Sequence, residues 1–287
     1  MGTKIRNHDL RSVNSGTVYL PPNAEFGNLQ IPSLHETSTT QLYDLGTKYV
    51  FNDKVFKHFR TNTGGSLSAQ RGAMNQNAIV VAYTTLSYPV AAAPTVAAAV
   101  GATSVYVVKA GVAKDDYKYG HVILGHNSDA TCQNRGIIGN DASATVAGVA
   151  NVVKIDLEFP LHTALVAGTS GIEVMKSIYG NVAQGTGVGV ASELWKAVVC
   201  VPCIYIATTA LEYFWGQTWG PVWLTPGAAG YGATASERLL VFDGYGSVQD
   251  FTTVNITGVK GYQIAGFLLD STVAPEDCSF VMLQISP

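Results

Sequence analysis

Cys200 and Cys203 bracket a Val-Pro pair, and a C-x-x-C spacing can serve either thiol–disulfide exchange or half of a zinc site. A redox pair wants the start of a helix, whose dipole lowers a thiol pKa, but the flanking "KAVV" and "IYIATT" are β-branched and strand-like. A zinc site wants two more ligands at suitable spacing, and no second C-x-x-C or His pair exists. Together with Cys132 and Cys278 these residues read as reduced, mostly buried structural thiols.

The other chemically suggestive groups fare no better. Gly185, Gly187 and Gly189 form G-x-G-x-G, one residue short of a dinucleotide fingerprint and without a βαβ context, so a turn or flexible connection is expected. Of six histidines (His8, His35, His58, His121, His126 and His162) only His121 and His126 are close, and five apart is not a ligand spacing. Asp115 and Asp116 sit in the turn "AKDDYKYG", where solvated carboxylates are expected because the spaced oxygens of a calcium loop are missing. No nucleophile elbow, H-E-x-x-H or deaminase signature occurs. The expectation is a non-enzymatic protein with no catalytic residue, no cofactor and no metal.

One segment remains, "YFWGQTWGPVW", which holds three of the four tryptophans. As a binding surface, Trp215, Trp219 and Trp223 would form a stacking platform with Gln217 as a polar partner. As structure, strand alternation puts Tyr213, Trp215, Gln217 and Trp219 on one face and Phe214, Gly216 and Thr218 on the other, with Gly220-Pro221 ending the strand. Aromatics of this size each bury ~150–250 Å², and no other polar site accompanies them, so core or subunit-interface packing outweighs ligand stacking.

Fourteen short runs rich in β-branched and aromatic residues, bounded by Gly, Asn, Asp or Pro, must position these residues. They predict an all-β fold, an antiparallel sandwich or barrel-like body over residues 45–287. Residues 100–180, with the alternating "KIDLEF", look like a subdomain within it: Ile155, Leu157 and Phe159 face in, and Lys154, Asp156 and Glu158 face out. One short helix is allowed within residues 64–83, where Leu67, Met74 and Ala78 fall on one face. Residues 1–44 lack periodicity and read as an extended arm, with Leu10, Val13, Val18, Tyr19, Leu20 and Phe26 as apolar anchors for a neighbouring surface.

Composition narrows the partners. Charged residues are 13% of the 287 residues, against about a quarter in ordinary domains. Such a surface suits burial against other subunits. A net charge of −3 without a basic cluster argues against nucleic acid. The N-terminal stretch has no apolar h-region and no long unbroken apolar run occurs, which predicts synthesis in a cytoplasm and no membrane span.

The segments "GTKYVFNDKVFKHFRTN", "DDYKYGHVILGHNSDATCQNRGIIGN", "LEFPLHTAL", "IEVMKSIYGNV" and "EYFWGQTWGPVWLT", in that order, resemble a group of tailed-bacteriophage virion structural proteins. The resemblance spans about residues 45–287 and is most specific at the Trp block. It implies a β-rich, non-enzymatic virion component of the capsid decoration (cement) or auxiliary head type, made in the host bacterial cytoplasm and carried on the capsid surface. Its implied partners are the major capsid protein and copies of itself, with a trimer preferred. A second reading is a receptor- or glycan-binding fibre or tail-surface module that stacks a host glycan on the tryptophans.

Overall fold

The computed structural model describes residues 10–13, 16–19, 33–62, 66–77, 79–85, 98–125, 132–146, 148–166, 170–185, 196–207, 210–227, 238–251, 263–270 and 279–287. Among these every regular element is a β-strand, and every strand pairing is antiparallel. The protein is all-β, as the run pattern predicts. Among the described residues of the 64–83 window there is no helix; it holds β5 (Ala73–Asn75) and β6 (Ile79–Thr85) instead. All three β5 residues are buried, because β5 is wedged between β13 (Val182–Gln184) and β14 (Val198–Pro202). Pairing on both edges overrides a weak helical pattern.

The chain divides into two compact units, residues 1–76 with 179–287, and residues 77–178 between them. In the first, the main sheet runs through β1 (Leu10–Val13), β2 (Gly16–Tyr19), β3 (Lys48–Phe51), β4 (Lys54–Arg60), β15 (Tyr213–Leu224), β19 (Ser279–Gln284), β18 (Ile264–Asp270), β16 (Leu239–Phe242) and β17 (Val248–Asp250). Where the sequence shows no strand periodicity, Leu10–Val13 and Gly16–Tyr19 still form a hairpin whose second strand pairs with β3. Backbone pairing with an existing sheet edge needs no apolar alternation of its own. The core under the sheet gathers Met74, Val198, Val201, Leu224, Leu240, Phe242, Val281 and Leu283.

The middle unit carries a seven-stranded sheet built from β7 (Ser104–Val108), β8 (His121–Leu124), β9 (Gln133–Asn140), β10 (Ala144–Val146), β11 (Val149–Leu157), β12 (Gly171–Met175) and β6. Alternation along β11 holds for Ile155 and Leu157, both buried, while Lys154 and Asp156 pair on the outer face at 2.8 Å. Phe159 departs from it: the strand stops at Leu157, and Phe159 lies 61% exposed. Asp116 in the "AKDDYKYG" turn is not merely solvated, because Lys176 Nζ donates to both its oxygens at 2.7 Å.

Candidate functional site

The sheet of the first unit is organised on β15, which is flanked by β4 and β14 along its first half and by β19 along its second. Its register with β4 shifts once. Gln217 lies opposite Phe56 and Trp219 opposite Val55, leaving Thr218 as the extra residue of a bulge. Because Phe56 and Val55 are successive strand residues and point to opposite faces, Gln217 and Trp219 do so too. The single aromatic face expected from simple alternation is therefore split. Trp215 stays on the His58 and Phe56 side, and Trp219 moves to the other.

Gln217 holds this irregularity together. Its buried side-chain amide donates to the carbonyls of Trp219 at 3.1 Å and Pro221 at 2.9 Å, and Thr218 Oγ1 donates to the Ser286 carbonyl at 2.6 Å. Gln217 thus serves the strand rather than a ligand. Nor does Gly220-Pro221 end the strand. Pairing with β19 continues to Leu224, and Pro221 costs no ladder bond on the opposite edge because β4 begins at Lys54, near Gly220. Gly220 takes a φ of +97°, and a Cβ there would stand 2.4 Å from the Asp53 carbonyl oxygen.

Beyond the bulge, one sheet face presents apolar side chains to solvent. Trp223, 50% exposed, packs against its cross-strand partner Phe280 with ring centroids 4.9 Å apart. Beside this pair, Pro221, Met282, Phe267 and Leu239 stand directly opposite one another across four strands, with Phe267 39% and Leu239 41% exposed. The opposite face of the same strands carries the core, with Leu224, Leu240, Val281 and Leu283 buried in it. Trp215 is buried within the chain, whereas Trp223 stands half-exposed on this face.

Before the bulge, β15 and β4 build an aromatic nest. Trp215, Tyr43, Tyr49 and Phe56 are buried together, and the ring of His58 lies 5.2 Å from Trp215, 5.5 Å from Tyr43 and 5.8 Å from Tyr213. The segment ahead of Tyr43 is pinned to β15 by reciprocal Ser38–Tyr213 backbone hydrogen bonds of 3.0 and 2.7 Å. A pocket of about 90 Å³ remains between that segment and the nest, lined by Glu36, Thr37, Tyr43, His58, Tyr213 and Trp215 among others. Burial pushes the His58 imidazole down to about 4, against the opposing pull of the Tyr43 and Asp44 backbone and the Asp44 carboxylate. Neither His58 nor Tyr43 belongs to a spacing pattern that marks a site in the sequence. Their one sequence signal is parity, since His58 alternates with Phe56 in "KVFKHFRT".

The remaining candidates fall elsewhere. Leu10 and Val13 lie in β1 and Val18 and Tyr19 in β2, whereas Leu20 and Phe26 lie outside the described residues. Cys200 is buried in β14 and Cys203 follows that strand; burial drives the Cys200 thiol well up and the Cys203 thiol up to about 12. Cys132 is exposed, and Cys278 lies outside the described residues. His121 is exposed on β8, while His126, Gly187 and Gly189 lie outside the described residues. Among the described residues no group of three His, Cys, Asp or Glu side chains could hold a metal ion. The chain matches no protein-family model, no curated protein and no solved structure.

Proposed function

We propose that this chain is a non-enzymatic virion structural protein, a capsid decoration or cement protein that binds the assembled head of a tailed bacteriophage and staples neighbouring capsomers. It would sit on the capsid surface beside the major capsid protein and copies of itself, as a trimer at sites of local threefold symmetry. The observation that carries this reading is the apolar row of Trp223, Phe280, Met282, Phe267 and Leu239 on an open sheet face. A contiguous exposed apolar patch on a chain so poor in charge is a surface for another protein. The arm adds a second element. Among the described residues β1 terminates the strand order, and a terminal strand offers its backbone to a neighbouring chain.

Removal of residues 1–30 and, separately, Phe267→Ser with Leu239→Ser should each sharply reduce co-sedimentation with capsids lacking this protein, with the circular dichroism of the β body retained. Full occupancy by both variants would reject the reading.

The half-exposed Trp223 favours one alternative, a glycan-binding tail or fibre module, because an indole face toward solvent can stack a sugar ring. Trp215 cannot share such a platform, being buried. Glycan-array binding that is lost in Trp223→Ala but kept in Phe267→Ser would establish this second function instead.

A further inference from the structure

The pocket beside the aromatic nest has a chemistry of its own, independent of whether the chain belongs to a virion. His58 is 3% exposed and lines it, and its Nδ1 has no hydrogen-bond partner. The backbone of Tyr43 and Asp44 offers hydrogen-bonding groups to the same ring. With Nδ1 unpartnered, those groups fall to Nε2, which places the N–H there and leaves Nδ1 as an acceptor lone pair. A buried acceptor without a donor is costly and calls for one. The walls narrow the choice of donor. Among the described residues, exposed Glu36 is the one ionisable carboxylate of the lining, no Lys or Arg lines it, and Tyr43, Tyr213 and Trp215 contribute aromatic surface.

We propose that this pocket binds a primary ammonium group, from a small amine or from a lysine side chain. Each wall then has a task. Nδ1 and the Glu36 carboxylate accept N–H bonds from the ammonium, and the ring faces attract the cation through their quadrupoles. Anions are disfavoured by Glu36 and by the π faces. A volume of about 90 Å³ admits an amine head and little more, being far below the ~300–1,000 Å³ of sites that enclose drug-sized ligands. A quaternary ammonium would keep the cation–π attraction but offers Nδ1 no hydrogen.

Titration of the whole protein with methylammonium, followed by the ring-nitrogen resonances of His58 and the indole resonance of Trp215, should give saturable shifts. Tetramethylammonium should bind at least about ten-fold more weakly, and Glu36→Gln should weaken methylammonium by about ten-fold with an unchanged melting temperature, as loss of a charge-assisted partner predicts. His58→Phe, if folded, should abolish discrimination between the two ions. A peptide bearing one lysine separates the sources: binding tighter than methylammonium assigns the site to a side chain, and weaker binding assigns it to a small amine. The proposal is overturned by non-saturable shifts, as for a pocket that holds only water, by equal binding of tetramethylammonium, or by a Glu36→Gln variant that binds as the parent does.

Discussion

His58 couples the aromatic nest to pH. In the unfolded chain its imidazole takes up a proton near pH 6.5, and in the fold only near 4, because burial opposes the charge. Between those values the unfolded state holds the extra proton. The contribution of His58 to stability is thus complete above about pH 6.5, declines as pH falls toward about 4, and is level below that. Its size is on the order of 3 kcal/mol. Urea midpoints measured from pH 7 to 4 should show this decline, and His58→Gln should remove most of it. The thiols give a second prediction at this scale. Iodoacetamide at pH 8 should modify Cys132 and spare Cys200 and Cys203, whose raised pKa values keep them protonated; peptide mapping before and after denaturation checks it. C-x-x-C was interpretable from sequence because its flanks have strand character, whereas the orphaned Nδ1 of His58 was not, since it depends on a segment more than ten residues away folding over the ring.

β15 shows what alternation can and cannot reveal. Its existence, its aromatic density and the inward face of Trp215 follow from period two, but the switch of face at Thr218 does not, because a bulge has no residue signature in "GQTWG". The helix window failed for a related reason. β5 is three residues long and exists only through neighbours drawn from residues 182–184 and 198–202. The bulge also predicts an asymmetry between two tryptophans of one strand. Trp215→Ala should cost ~3–5 kcal/mol of unfolding free energy and Trp223→Ala about 1 kcal/mol, since one is 4% and the other 50% exposed. Gly220→Ala, strained at φ +97° and facing the Asp53 carbonyl, should cost ~1–3 kcal/mol. Chemical denaturation of the three variants gives these values directly.

At the scale of the molecule, the middle unit is an insertion whose entry and exit are each tied within their own unit. The Gln76 amide donates to the Asn181 carbonyl at 2.8 Å in the first unit, and Asn77 Nδ2 donates to the Ser177 carbonyl at 2.6 Å in the second. Residues 77–178 expressed alone, and the remainder rejoined by a short Gly linker between 76 and 179, should each fold cooperatively. Loss of cooperative unfolding in both would show that neither core suffices. The middle core supports the prediction, since Val105, Val122, Leu124, Ile155, Ile172 and Val174 are buried within it.

That interruption imposes a timetable on synthesis. β4 leaves the ribosome early, yet its partner β15 follows long after, as the separation of 151 residues between Thr61 and Glu212 records. The inserted unit, by contrast, holds every strand of its own sheet within one continuous stretch. It can mature while the first sixty residues still wait, with Phe56 and Phe59 uncovered, for the C-terminal third of the chain. A nascent chain with about 200 residues clear of the ribosome would therefore carry one finished domain and an adhesive, half-made sheet, and the nascent chain is the state in which this protein most needs a chaperone.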